Sequence, residues 1–290
     1  MAETQAIRPM EPADVDHAAD VMIGGGWGDR RRFLSFTLDH PGCVPLVAEA
    51  DGSVVGTGVA TVNGPVGWIG MIFVDEALRG RGIGSALTEA VIAELTAAGC
   101  VSLALLASPL GRPIYERLGF RAELDYRIVA VAGLGSEATP GGYAGPAGAA
   151  GPRLRPFVAA DLPAILALDR VASGEDREHL LLATVHPDTT VVAIGTDGRV
   201  VGFDARTPWG GHPTIAPDVP DGVRLLEDRR RRTPAGNEAR SAIPETNRAG
   251  LTALENLGWR DERGLVRMVR GTPIRWRAEA IWGQFSYAMG

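Results

Sequence analysis

The chain contains no lysine; all 29 of its basic residues are arginine. That absence excludes several classes of enzyme. A Walker-type phosphate loop, a pyridoxal enzyme and a protein kinase each depend on a particular lysine. Cysteine is scarce too. Cys43 and Cys100 are too few for a disulfide framework or a four-sulfur metal centre, and no metal site is expected. No apolar run reaches the roughly 18 residues of a membrane span. Met1 to Pro12 carries acids and an arginine and no apolar core, unlike a signal peptide. Neither a Gly-x-Ser-x-Gly elbow nor a His-Glu-x-x-His zinc helix occurs. The expectation is a cytoplasmic protein with no membrane partner. A formal net charge of −6 speaks against nucleic acid as a partner and is sufficient for solubility.

What is present is an ordinary globular composition, 45% apolar and 22% charged over 290 residues, enough for about two domains. Between Gly133 and Pro152 the chain is almost wholly Gly, Pro and Ala without helical or strand periodicity. Such a stretch buries too little apolar surface to offset its ordering entropy and reads as a linker. The expected division is therefore 1–132, a linker 133–152, and 153–290.

The two halves repeat each other. Ile7-Arg8-Pro9 with Ala13-Asp14 matches Leu154-Arg155-Pro156 with Ala160-Asp161, at an offset of 147. Asp51-Gly52 matches Asp197-Gly198, and Tyr115-Glu116-Arg117-Leu118-Gly119-Phe120 matches Leu254-Glu255-Asn256-Leu257-Gly258-Trp259. In the first half the periodicities predict helices over 12–22 and 29–39, strands over 44–50 and 54–62 joined by a turn at Asp51-Gly52, and a strand over 68–74. A long helix over 82–98, a strand over 101–106, a short helix over 112–118 and a strand over 120–131 that completes the sheet follow. The fold class is mixed α/β.

The sharpest local signal is Val74-Asp75-Glu76-Ala77-Leu78-Arg79-Gly80-Arg81-Gly82-Ile83-Gly84-Ser85. An apolar strand ends, a Gly-rich turn follows, and a helix begins inside it. Gly80, Gly82 and Gly84 let backbone approach a ligand, and the N–H groups converge at a helix N-terminus, a place for phosphate oxygens. Arg79 and Arg81 add charge suited to a diphosphate. Ser85 stands where a dinucleotide fingerprint needs its third glycine.

Arg79-x-x-Gly82-x-Gly84 resembles the coenzyme A signature of the GNAT superfamily of N-acetyltransferases. Ser108-x-x-Gly111-x-x-Ile114-Tyr115-Glu116-Arg117-Leu118-Gly119-Phe120 resembles a second family signature, Asn-x-x-Ala-x-x-Leu-Tyr-Glu-x-Leu-Gly-Phe, with Ser108 and Gly111 as departures. The resemblance covers the first half and, through the repeat, most of the second. It implies two GNAT-like domains, each a mostly antiparallel central sheet flanked by helices. It also implies acetyl-CoA as acyl donor and an amine acceptor, here a small molecule. The diphosphate would be held by Arg79, Gly80, Arg81, Gly82, Gly84 and Ser85. Backbone at the strand end, Phe73 and Val74, would polarise the thioester carbonyl, and Tyr115 would be the general acid. Glu49, Asp75, Glu76 and Asp125 are candidate bases among which the sequence does not choose. Trp27, in the run Gly24-Gly25-Gly26-Trp27-Gly28, is either a ligand-stacking residue or a core tryptophan. His17 and His40 read as ordinary surface or hydrogen-bonded histidines. A protein acceptor, an acyl-CoA-binding module without turnover, and a homodimer are left open.

The second half lacks this machinery. Leu254 stands at the position of Tyr115, and no Gly-x-Gly turn precedes its helix. Asn247 keeps the asparagine of the second signature. Arg229-Arg230-Arg231-Arg232 reads as a solvated helix face. The expectation is a degenerate domain that holds no acetyl-CoA. The aromatic tail, Ile274 to Gly290, is expected to form a final strand, with contact to the first domain as the alternative.

Overall fold

The computed structural model describes residues 5–135 and 153–290. They form two compact units, unit 1 gathering Met1–Ala122, Arg267–Pro273 and Tyr287–Gly290, and unit 2 gathering Glu123–Val266 and Ile274–Ser286. These boundaries differ from the expected division at 132 and 153. Of the expected linker, residues 136–152 lie outside the described residues. Its first residues are bonded in unit 2, Gly133 N–H to the Asn237 carbonyl at 2.9 Å and Gly135 N–H to that of Thr233 at 2.9 Å.

Unit 1 begins with a strand that periodicity did not reveal, β1 (Gln5–Pro9). Then come α1 (Asp14–Gly24), α2 (Arg31–Asp39), β2 (Cys43–Ala50), β3 (Ser53–Asn63), β4 (Val66–Val74), α3 (Ile83–Ala97), β5 (Ser102–Ala107) and α4 (Arg112–Arg117). Strands β1 to β4 pair antiparallel in chain order, whereas β4 and β5 run parallel. The helix α3 follows from its spacing. Ile83, Leu87, Val91 and Leu95 recur every four residues and are all buried, each worth roughly 1.5–3 kcal/mol. The helix lies close on the sheet because β4 offers no side chain at Gly67, where a Cβ would stand 2.8 Å from Leu95 Cδ2.

The strand expected to complete this sheet is not the neighbour of β5. From Glu123 onward β6 (Arg121–Ala132) belongs to unit 2, and the segment Arg267–Pro273 belongs to unit 1. There the Thr272 N–H donates to the Val101 carbonyl at 2.9 Å and the Ser102 hydroxyl to the Thr272 carbonyl at 2.7 Å. An open β5 edge would leave backbone groups unpaired, and this segment satisfies them.

Unit 2 continues with β7 (Arg153–Pro156), α5 (Leu162–Ser173), α6 (Glu178–Thr184), β8 (Thr190–Ile194), β9 (Val200–Ala205), β10 (Thr214–Ile215), α7 (Val219–Arg232), β11 (Glu238–Pro244), α8 (Arg248–Asn256), β12 (Arg260–Gly271) and β13 (Ile281–Gly283). One sheet has the order β13-β10-β9-β8-β7, and β6 pairs antiparallel with β11. Its core gathers Leu225, Leu226, Leu254, Trp259 and Trp282.

The internal repeat is physical as well as textual. Arg8 holds Asp14 with two hydrogen bonds of 2.7 and 2.9 Å, and Arg155 holds Asp161 at 2.6 and 2.7 Å. Each pair ties a first strand to the start of the next helix. Gly119 and Gly258 both adopt left-handed backbone, φ 84° and 87°, to close α4 and α8. The tail forms a strand over three residues only, β13. Its last four residues belong to unit 1, where the carbonyls of Ala288 and Met289 accept from Thr61 and Asn63 at 3.2 and 3.0 Å.

Candidate active site

At the end of β4 the strand changes its register on β3. Val59 pairs with Gly70, yet Thr57 pairs with Phe73, so β4 carries an extra residue. The bulge contains Met71 in left-handed backbone, φ 53°, and the Thr57 hydroxyl holds the Met71 carbonyl at 2.8 Å. On its other side β4 pairs with β5 only over Val66–Trp68 and Ser102–Ala104. Beyond Trp68 the two strands no longer pair, and Ile72, Phe73 and Val74 lie in the unpaired stretch.

The turn follows directly. The Asp75 carboxylate accepts from the Ala77 N–H at 2.9 Å and closes a short 3-10 turn over Glu76–Leu78. Gly80 and Gly82 have φ of 80° and 87°, and a Cβ on either would meet nothing within 4 Å. The glycines are thus required by backbone conformation, and the space beside them is open. Gly82 is the N-cap of α3 and makes no side-chain cap bond. The first intrahelical bond is donated by Ala86, to Gly82, at 3.0 Å. The N–H groups of Ile83, Gly84 and Ser85 therefore have no intrahelical acceptor, at the positive end of a 15-residue helix. Arg79 is exposed, and it is anchored by Nε to the Val74 carbonyl at 3.3 Å and by an ion pair with Glu76 at 3.2 Å. Arg81 and Gly82 are exposed, while Gly84 and Ser85 are half-buried. This open, uncapped and positively charged turn fits a diphosphate.

Tyr115 is buried at 9% exposure, edge-on to Phe120 at 6.2 Å. Burial pushes its pKa up to about 12, so the phenol keeps its proton through the neutral range. Gly111 makes room for it: a Cβ there would lie 3.1 Å from the Tyr115 ring. The Ser108 hydroxyl accepts from the Gly111 N–H at 3.3 Å, just before α4. Asn247 accepts from Gly250 at 3.1 Å in the same way. Ile114 on α4 reaches the start of α3, 3.5 Å from where a Gly84 Cβ would stand. Unit 1 thus holds Phe73, Val74, Arg79 to Ser85 and Tyr115 around the end of β4 and the start of α3.

Of the candidate bases, Asp75 and Glu76 lie in this turn and are bonded within it. Glu49 pairs with Arg8 at 2.8 Å, Asp75 caps the 3-10 turn, and Glu76 pairs with Arg79. Asp125 lies on β6, in unit 2. His17 is exposed, and His40 accepts from the Gly42 N–H at 3.1 Å. Trp27 is both exposed and packed: at 38% exposure it stands edge-on to Phe73 at 5.3 Å. The neighbouring Gly25 has no room for a side chain, since a Cβ would lie 2.6 Å from the Phe73 ring. Sequence reasoning missed Thr57 and Met71, for nothing marks a threonine or a methionine as the support of a bulge.

In unit 2 the helix at the corresponding place, α7, opens on Asp218, Pro220 and Asp221 instead of glycines and arginines. Burial, then the neighbouring Asp218, pushes the Asp221 carboxyl up to about 6. Two carboxylates there oppose a diphosphate. The arginine run at the other end of α7 is not a solvated face. The Arg229 and Arg232 side chains are only 2% and 13% exposed, because both bind the fully buried Asp204, at 2.6 and 3.1 Å. Among the described residues no helix is long and apolar enough to cross a membrane, and no group of three or more His, Cys, Asp or Glu could hold a metal ion.

Comparison with known proteins agrees with this geometry. The model of the acetyltransferase (GNAT) family matches residues 15–120, and that of an acetyltransferase (GNAT) domain matches residues 165–283. A putative acetyltransferase from Pyrococcus horikoshii aligns over 99% of this chain and 96% of its own, with a TM-score of 0.77 at 21% identity. A tandem GNAT protein from the clavulanic acid biosynthesis pathway aligns over 93% and 99%, with a TM-score of 0.62 at 12% identity. A GCN5-related N-acetyltransferase from Sphaerobacter thermophilus aligns over 92% and 95%, with a TM-score of 0.61 at 17% identity. The two family matches, one in each half, together with the whole-length fold, show that this chain belongs to the GNAT acyltransferases and carries two GNAT domains in tandem.

Proposed function

We propose that this protein moves an acetyl group from acetyl-CoA to the amine of a small molecule, and that unit 1 alone carries the reaction. The observation that supports this most is the left-handed Gly80–Gly82 turn. It opens α3 uncapped, directly after a bulged strand end and in the same unit as a buried tyrosine.

The donor, when bound, supplies an acetyl group as a thioester. The N–H groups at the start of α3, with Arg79 and Arg81, hold its diphosphate. The backbone at Phe73 and Val74, paired with β3 but not with β5, offers an N–H to the thioester oxygen as negative charge develops there. The amine attacks the carbonyl carbon, the C–N bond forms and the C–S bond breaks. Tyr115 offers its hydroxyl to the departing sulfur. With a phenol at about 12 and a thiol near 8.5, full proton transfer is uphill by roughly 5 kcal/mol. Tyr115 therefore acts by hydrogen bonding the thiolate, which takes its proton from water. Glu49, Asp75 and Glu76 each already hold a partner, and the amine proton leaves to water.

The test is thiol release from acetyl-CoA against amino acids, polyamines, aminoglycosides and a peptide with a free N-terminus. Turnover with one small amine class is the expected result. Turnover with the peptide alone, or tight acetyl-CoA binding with none, would overturn the reading.

A further inference from the structure

Unit 2 contains a cavity of about 700 Å³ at the C-terminal end of α7, lined by Arg206, His212, Arg229, Arg232, Asn237 and Arg240 among others. The helix has 14 residues, so it spans about 21 Å. The cavity therefore lies a helix length away from Asp218 and Asp221, the end at which unit 1 has its phosphate-binding turn. It is not a remnant of a coenzyme A site.

The charges around it do not cancel. Arg229 and Arg232 share the buried Asp204, and Arg232 also holds Asp228 at 2.7 Å, two guanidinium groups against two carboxylates. Arg240 binds Glu262 at 2.9 Å and also Glu238, which Arg260 binds as well, again two against two. Arg206 is the surplus. It is exposed, and its described hydrogen bond is made by its backbone N–H, to Thr189 at 2.9 Å. The side chain of His212, which lines the cavity, is only 18% exposed, with Nδ1 turned to Asp204 Oδ1 at 3.5 Å. Burial, then the nearby Arg229, pushes His212 down to about 4, so at neutral pH its imidazole is uncharged.

With Arg206 uncompensated and no free carboxylate to set against it, the cavity disfavours a cation. An oxyanion suits it, and arginine forks match that geometry. The volume lies within the range of small-molecule sites. We propose that this cavity binds a small metabolite through an oxyanion, a carboxylate or a phosphate monoester, with Arg206 at the rim and Arg232 and His212 within. The second domain would then be a ligand-binding module on a fold that has lost its coenzyme turn.

The experiment follows the imidazole C–H resonance of His212 in the full chain by NMR. Among five histidines it is identified by its loss in His212→Gln, and independently as one that stays neutral between pH 5.5 and 8. Inorganic phosphate and succinate are titrated separately at constant ionic strength, with chloride as the control. Saturable movement with either anion is expected, and which of them acts names the oxyanion. Arg206→Ala should weaken that binding at least tenfold, whereas Arg79→Ala in unit 1 should leave it unchanged. A resonance unmoved by both anions, or moved equally in Arg206→Ala, would overturn the proposal whatever the fate of the acetyltransferase reading.

Discussion

Ala288 occupies the space in which a side chain on Gly70 would stand: a Cβ there would lie 2.1 Å from the Ala288 Cβ and 2.3 Å from its Cα. Gly70 immediately precedes the bulged Met71, so the last residues of the sequence brace the strand that carries the site. Gly70→Ala should cost about 1–3 kcal/mol of stability in urea denaturation, the usual penalty for overpacking. Deleting 287–290 should also destabilise, because the Thr61 hydroxyl and the Asn63 amide lose their carbonyl partners. In the shortened chain Gly70→Ala should be nearly neutral, since the clash has gone. If it costs as much there as in the full chain, the contact is not what excludes a side chain.

Tyr115→Phe removes the hydroxyl and keeps the ring that packs on Phe120. Turnover should fall about 100-fold or more, at the lower end of the range for acid–base groups. The acetyl-CoA dissociation constant should stay within about twofold. Burial holds the phenol near 12, so the wild-type rate should show no fall from tyrosine ionisation below about pH 11. Equal turnover by the two proteins would remove Tyr115 from the reaction.

Gly82→Ala tests the turn. The added methyl meets no neighbour, so any effect comes from the left-handed backbone, at roughly 1–2 kcal/mol. If the unliganded turn relaxes to relieve that strain, coenzyme A affinity drops by about tenfold while the fold survives. Arg79→Ala should weaken binding and flatten its salt dependence. Calorimetry at two ionic strengths measures both. Wild type should take up one coenzyme A per chain, and two equivalents would return the cofactor function to unit 2.

The sequence made the glycine turn before α3 legible because its signal is local: three glycines, two arginines and a helix start lie within one short run. Leu87, Val91 and Leu95 announced α3 by spacing. The strand at Gln5–Pro9 was visible only indirectly, through its echo in Leu154-Arg155-Pro156, since five residues are too few for a period. The exchange of strands at Glu123 and Arg267 was not legible. Strand patterns say that a residue pairs, not with which edge, and these partners are far apart in the chain. The arginine run was misread for a related reason. Its neutralising Asp204 sits 25 residues before Arg229, on another element, and a charge run carries no sign of what will face it.

The start of α7 offers a test by pH. Burial and Asp218 raise the Asp221 carboxyl to about 6, above the ordinary aspartate value of about 3.9. A group whose pKa is raised on folding costs nothing while protonated in both states. Its penalty grows as pH climbs from about 4 to 6 and persists above that. Asp221→Asn removes the charge and keeps the shape. It should stabilise the protein at pH 8 by about 1–2 kcal/mol, because the favourable interaction of an acid with a helix N-terminus offsets part of the roughly 3 kcal/mol that two pKa units represent. At pH 4 the gain should vanish. Thermal melts of both proteins at the two pH values decide it. Equal gains at both pH values would mean that the asparagine acts through packing, and no gain at pH 8 would mean that the carboxylate is well solvated. Confirmation would give the charge of this helix start a measured size. That charge is the physical reason for expecting one coenzyme per chain: where unit 1 has the glycines and arginines proposed to hold a diphosphate, unit 2 has a carboxylate that burial already disfavours.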